Sequence, residues 1–233
     1  MSLYVVPAPA QPSLPVVGTS ARFPVRRIFC VGRNYAEHSR EMGHDPTREA
    51  PFFFCKPADA LTLDGATLPF PTATHDLHFE GELVVALSRG GADIAEADAP
   101  GHVFGYAPGN DLTRRDLQSA AKAAGRPWDM AKGFDSSAVC GPVVPVSAVG
   151  HLEGQSLRTF VNGALRQETP LAAMIWPVAA IIAHLSRLVE LQPGDLIYTG
   201  TPAGVGALSP GDRCRVAVTG LGEVSIALTG GSV

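Results

Sequence analysis

Apolar residues in this chain fall into short runs, most of them closed by glycine or proline. The segments 25–32 (VRRIFCVG), 51–57 (PFFFCKP), 82–88 (ELVVALS) and 103–112 (VFGYAPGNDL) are apolar runs of strand length and read as buried strands, the last ending in a turn. Two later segments have the pattern of hairpins. In 157–168 (LRTFVNGALRQE) the Asn162-Gly163 pair suits a type I′ turn, and 213–229 (RCRVAVTGLGEVSIALT) closes the chain in β structure. Helical character is confined to three stretches. These are 33–43, 113–125 and 177–191, the first two ending at glycine and the third opening on Pro177. An edge strand is expected near Tyr4–Val6.

Strands and helices do not alternate, so the pattern argues against a doubly wound sheet. It predicts the α+β class: one mixed domain, rich in hairpins, with a few short helices. The 25 glycines and 20 prolines agree with many turns. Residues 1–24 read as a proline-rich N-terminal extension ahead of a domain over 25–233. Charge is sparse and nearly balanced, 18 Lys plus Arg against 22 Asp plus Glu, which gives no footprint for nucleic acid or an anionic membrane. The longest apolar stretch, LAAMIWPVAAIIA, is too short to span a bilayer, and the N-terminus lacks the pattern of a signal peptide. The expected location is the cytoplasm. Cys30, Cys55, Cys140 and Cys214 contain no C-x-x-C pair and read as buried free thiols of a reducing compartment.

Chemistry enters at 76–87, DLHFEGELVVAL, where two carboxylates precede a core strand. Strand alternation puts His78, Glu80 and Glu82 on one face. Two such carboxylates suit a hard divalent cation such as magnesium, with Asp111 as a third oxygen ligand from another strand end. The competing view is a solvated strand end with no ion. His78 either ligates or donates a hydrogen bond to a ligating carboxylate.

Three further groups are candidates. His38 and Glu41, three apart on a helix, can touch and form a general base, or an ordinary surface ion pair. Arg33 lies close before them. Lys132 sits among small and apolar residues, where it can offset charge on an oxyanion or snorkel to the surface. Arg115 and Gln118 share a helical face after Asp111. The loop TGTPAGVG lacks the lysine and hydroxyl of a nucleotide-binding loop, but the Thr201 hydroxyl and its neighbouring amides suit a carboxylate or carbonyl oxygen.

Taken together, VGRNYAEHSREMG, FFFCKPADAL, HFEGELVVAL, GYAPGNDLTRRDLQ, RPWDMAKGFD, VNGALRQE and GDLIYTGTPAGVG resemble the fumarylacetoacetate hydrolase family, in the family's order. The resemblance runs from about Arg26 to about Val224. It implies the mixed β-roll of that family's C-terminal domain, a homodimer and a magnesium or manganese ion. By resemblance, Glu80, Glu82 and Asp111 are the metal ligands, and His38 and Glu41 are the catalytic dyad. Lys132 is the active-site lysine, and Arg33, Arg115, Gln118 and Thr201 line the substrate pocket. The implied reaction is hydrolysis of a carbon–carbon bond in a 2,4-diketo acid. The wording is most similar to bacterial members that act on fumarylpyruvate, giving fumarate and pyruvate in gentisate-type aromatic breakdown. Hydrolysis of other acylpyruvates, or decarboxylation of oxaloacetate, is the alternative.

Overall fold

The structure is a computed structural model and describes residues 4–37, 50–152 and 154–230. Its centre is an eight-stranded sheet. The strands run in the order Phe52–Lys56, Arg27–Gly32, Asp195–Tyr198, Gly81–Leu87, Val103–Asp111, Ala138–Cys140 and Leu61–Leu63, with Val144–Pro145 also pairing to Val103–Asp111. A five-stranded sheet packs against it, ordered Ala164–Pro170, Ser156–Val161, Arg213–Val218, Gly222–Thr229 and Ala66–Pro69. This is a mixed β-roll of the α+β class with a few short helices.

The continuous apolar runs are explained by burial on both faces of the central sheet. Leu83, Val85 and Leu87 join Phe29, Val31 and Ile197 in a core shared with Leu157, Val216, Val224 and Ile226 of the five-stranded sheet. Between them Val84 and Ala86 point the other way, into a second core with Ile28, Cys30, Leu196 and Tyr198. That second core is covered by Leu14 and Phe23 of a small hairpin, Ser13–Pro15 with Arg22–Pro24. The outer strands alternate instead, one side buried and one wet, as in Arg213–Val218.

One break in the strand pattern sets up the site. Leu77–Phe79 belongs to a separate three-stranded sheet with Thr113–Arg114 and Gly206–Leu208, whereas Gly81–Leu87 lies in the central sheet. Glu80 is the residue where the chain changes sheets. Its carbonyl accepts from the Asp111 amide at 2.9 Å, and its amide donates to Asn110 Oδ1 at 2.9 Å, so the switch is fully hydrogen-bonded. Gly81 is required there by space: a Cβ would lie 2.0 Å from Thr159 Oγ1 and 3.1 Å from Gln167 Oε1.

Several elements differ from the expectation. Among the described residues Tyr4–Val6 pairs with no strand and is exposed, and the first strand is Ser13–Pro15. The GND segment is not a turn, because Asn110 and Asp111 remain paired to Val139 and Ala138 as strand. Thr113–Arg114 is also strand, so the following helix is shortened to Arg115–Ala123. Arg33, at φ 60, lies outside any helix; residues 38–43 of the helix expected there lie outside the described residues. The helix expected over 177–191 spans Val178–Ser186. It stops because the Ser186 carbonyl and hydroxyl accept from the Asp93 and Ile94 amides, at 2.9 Å each. The 157–168 hairpin turns at Asn162 and Gly163, both with positive φ as type I′ requires. Cys55 is exposed; the other three cysteines are buried, and all four are free.

Gly81→Ala is expected to lower stability by about 1–3 kcal/mol through overpacking against Thr159. Urea unfolding checks this, and adding Thr159→Ala, which removes the clashing oxygen, should recover part of the loss.

Candidate metal and active site

The site lies where the strands Arg27–Gly32 and Asp195–Tyr198 end and Gly81–Leu87 begins. Strand alternation aims Glu82 to the same face as Val84 and Ala86, and Asp111 to the same face as Ala107. The sheet switch brings Glu80 beside them. One carboxylate oxygen from each of Glu80, Glu82 and Asp111 lies within 4.8 Å of the other two, and all three residues are buried. An all-oxygen donor set of this kind fits a hard divalent cation.

Three cations face these three carboxylates. Lys132 Nζ donates to Glu80 Oε2 at 2.7 Å, to Asp111 Oδ2 at 2.8 Å and to Thr113 Oγ1 at 2.7 Å. Arg115 Nη2 donates to Glu80 Oε1 at 2.5 Å. Lys56 Nζ lies 2.7 Å from Asp111 Oδ1 and donates to the backbone carbonyls of Leu112 and Lys132. Among the described residues Glu82 has no lysine or arginine partner of this kind; it accepts from the Gly200 amide at 2.7 Å. Burial, and then the charges of Asp111 and Glu80, push its carboxyl well above the ordinary range. A bound cation removes that penalty by neutralising the like charges. Burial pulls the Lys132 ammonium down, but Asp111 and Glu80 more than reverse this, so it stays charged.

His78 stands behind Arg115. Its Nδ1 accepts from Arg115 Nε at 3.4 Å, and its Nε2 lies 2.9 Å from Asp76 Oδ1. Burial, then the charge of Arg115, lowers its pKa, which favours the neutral ring with the proton on Nε2. His78 therefore buttresses the guanidinium that holds Glu80, with its two ring nitrogens engaged by Arg115 and Asp76.

A pocket opens over this floor. Arg33, Arg115, Gln118, Lys132 and Thr201 line it together with Glu80 and Glu82. Gln118 Oε1 accepts from Arg115 Nη1 at 2.6 Å. The Thr201 hydroxyl is spent inside the fold, donating to the Gly81 carbonyl at 2.9 Å and accepting from Gln167 Nε2 at 2.9 Å. With the Gly200 amide held by Glu82, this loop braces the carboxylates more than it offers donors to a ligand. His38 and Glu41 lie outside the described residues.

The sequence reading missed four contributors. Lys56 was legible only as the one charge in PFFFCKP, where alternation sets it on the face of Phe54 and Phe52. Phe52, Trp128 and Lys122 also line the pocket. The Phe52 and Trp128 rings meet edge to face with centroids 5.3 Å apart, and Lys122 continues the Arg115–Gln118 face of its helix.

Comparison with known proteins agrees with this geometry. The sequence profile of the fumarylacetoacetate (FAA) hydrolase C-terminal family matches residues 27–228. A fumarylpyruvate hydrolase from Ralstonia sp. is 43% identical over 182 residues, covering 78% of this chain and 94% of the relative. A mitochondrial oxaloacetate decarboxylase from Dictyostelium discoideum is 38% identical over 197 residues, covering 84% and 90%. Among solved structures, the fumarylpyruvate hydrolase from Pseudomonas aeruginosa in complex with Mn2+ and pyruvate superposes with a TM-score of 0.94. It is 49% identical, with 97% of this chain and 99% of that chain covered. Sequence, fold and a buried three-carboxylate floor thus converge, and the chain belongs to the fumarylacetoacetate hydrolase family.

Proposed function

We propose that the chain is a divalent-metal-dependent hydrolase that cleaves a carbon–carbon bond of an acylpyruvate, with fumarylpyruvate as substrate and fumarate and pyruvate as products. The observation that carries this is the buried Glu80–Glu82–Asp111 set at the floor of a cation-lined pocket. Its likeness to fumarylpyruvate hydrolases in sequence and fold supports the choice of substrate. A divalent ion held by these carboxylates supplies Lewis-acid polarisation of the diketo acid's oxygens. We assign magnesium, with manganese able to replace it.

The chain's own residues then divide the chemistry. Glu41 fixes and raises the basicity of His38, which takes a proton from water as the water oxygen adds to the C4 carbonyl. The C3–C4 bond breaks with its electron pair passing to the pyruvate fragment, and protonation at C3 completes pyruvate while C4 becomes the new carboxylate of fumarate. Lys132, buried and already desolvated, stabilises negative charge growing on the pyruvate oxygen. Arg115 and Gln118 orient the keto acid end, and Arg33 closes the pocket wall over the Phe52 ring, at 5.3 Å from its centroid. His78 keeps Arg115 in place. The proposed setting is a cytoplasmic homodimer in gentisate-type aromatic breakdown. Among the described residues no helix is long and apolar enough to cross a membrane.

A second reading, decarboxylation of oxaloacetate, is favoured by the relative from Dictyostelium. It too releases a pyruvate enolate. Spectrophotometric turnover of fumarylpyruvate, acetylpyruvate and oxaloacetate decides between them; higher kcat/KM on oxaloacetate than on fumarylpyruvate would overturn the first choice.

Activity should disappear with EDTA and return with Mg2+ or Mn2+. Glu80→Gln is expected to weaken metal binding in calorimetry and to lower kcat by on the order of 10²–10³-fold, since the ion's polarisation is worth several kcal/mol. His38→Ala should lower kcat by roughly 10²–10⁴-fold while leaving the metal affinity near that of the parent protein, as loss of a general base predicts. Equal loss of metal binding in that variant would move His38 out of the proton-transfer role.

A further inference from the structure

We propose that Lys122 selects substrates bearing a second carboxylate at the end remote from the diketone; this rests on the acylpyruvate reading of the site. The helix Arg115–Ala123 lends the pocket three side chains, Arg115, Gln118 and Lys122, at the three- and four-residue spacings that share one helical face. Their surroundings change with distance from the carboxylate floor. Arg115 is bound to Glu80, and Gln118 accepts from Arg115. Lys122 stands two turns farther out, roughly 10 Å from Arg115 along the axis at a rise of 1.5 Å per residue.

No carboxylate among the described residues pairs with Lys122. Among the described residues the charged groups that bear on it are Arg33 and Arg115, and burial followed by their charges lowers its pKa. A partly buried ammonium that has no carboxylate of its own gains when an anion binds beside it. The same pocket is lined by the rings of Phe52, Phe54 and Trp128, with Trp128 packed against both phenylalanines. Flat aromatic walls suit a planar conjugated chain. The pocket therefore matches a ligand with an oxygen-rich keto acid head at the floor, a flat unsaturated middle, and a carboxylate tail at Lys122.

The test compares the parent protein with Lys122→Gln and Lys122→Arg, each loaded with Mn2+. The ratio of kcat/KM for fumarylpyruvate to that for acetylpyruvate, which has a methyl in place of the charged tail, should fall about tenfold or more in Lys122→Gln through KM, as expected for one lost charge-assisted hydrogen bond. Lys122→Arg should keep most of the preference. An unchanged ratio in Lys122→Gln overturns the assignment. A second measurement is independent of turnover: calorimetric binding of fumarate against crotonate, its analogue with one carboxylate replaced by methyl. The parent should prefer fumarate and Lys122→Gln should lose that preference; the same preference in both overturns the assignment. A parent protein that turns over neither acylpyruvate, yet loses its fumarate preference with Lys122, would sink the reaction reading and uphold the role of Lys122.

Discussion

The structure depends on how three carboxylates can be buried together. An isolated carboxylate in an apolar interior is strongly disfavoured, and three within 4.8 Å of one another are worse. The fold offsets this with Lys56, Lys132 and Arg115, each reaching from a different element. Lys56 comes from an edge strand, Arg115 from the first turn of a helix, and Lys132 from the short turn Asp129–Lys132. Those elements are thereby tied to one point. Removing any one cation would leave an uncompensated buried charge, which costs more than an intact pair contributes.

Backbone geometry makes this convergence available. The sheet change at Glu80 lets two carboxylates separated by a single residue approach a third on a neighbouring strand. Glycine supplies the required closeness at two positions. Gly81 lets the strand meet Thr159 and Gln167, and at Gly109 a Cβ would lie 2.4 Å from Val84 Cγ2. Gln167 then links the two sheets across Gly81. It accepts from the Gly81 amide at 3.1 Å and donates to Thr201, so the five-stranded sheet braces the site that the central sheet carries.

Much of this was legible in the sequence, for physical reasons. Central strands buried on both faces leave unbroken apolar runs, and Asn162-Gly163 names its turn. Glu80, Glu82 and Asp111 stood out because carboxylates beside core strands are costly without a partner. What stayed hidden depended on pairing between distant segments. The helix after Pro177 ends early because Asp93 and Ile94 capture Ser186, and nothing within the helix's own sequence announces that. Asn110 and Asp111 looked like a turn by local preference, yet the strand Ala138–Cys140 holds them extended. Lys56 was invisible as a partner of Asp111 because the two are far apart in sequence and meet only through the sheet order.

The charge inventory connects the site to its proposed substrate. With all groups ionised, the three carboxylates and three cations cancel, so the floor alone has no preference for an anion. A divalent ion turns the floor positive, which suits the keto acid end of an acylpyruvate. Lys122 adds positive charge two helical turns from Arg115, and no carboxylate among the described residues pairs with it. On the proposed role of Lys122, the loaded pocket is positive at two levels, the floor and the second turn of the helix, roughly 10 Å apart along the axis. A monocarboxylate can satisfy the inner level alone, whereas a conjugated dicarboxylate satisfies both. Oxaloacetate carries its two carboxylates too close together to span that stretch, so the outer level favours the longer chain. Electrostatic complementarity of this kind discriminates between substrates more than it adds raw affinity. On this proposal specificity resides at Lys122, and the bond-breaking chemistry at the carboxylate floor.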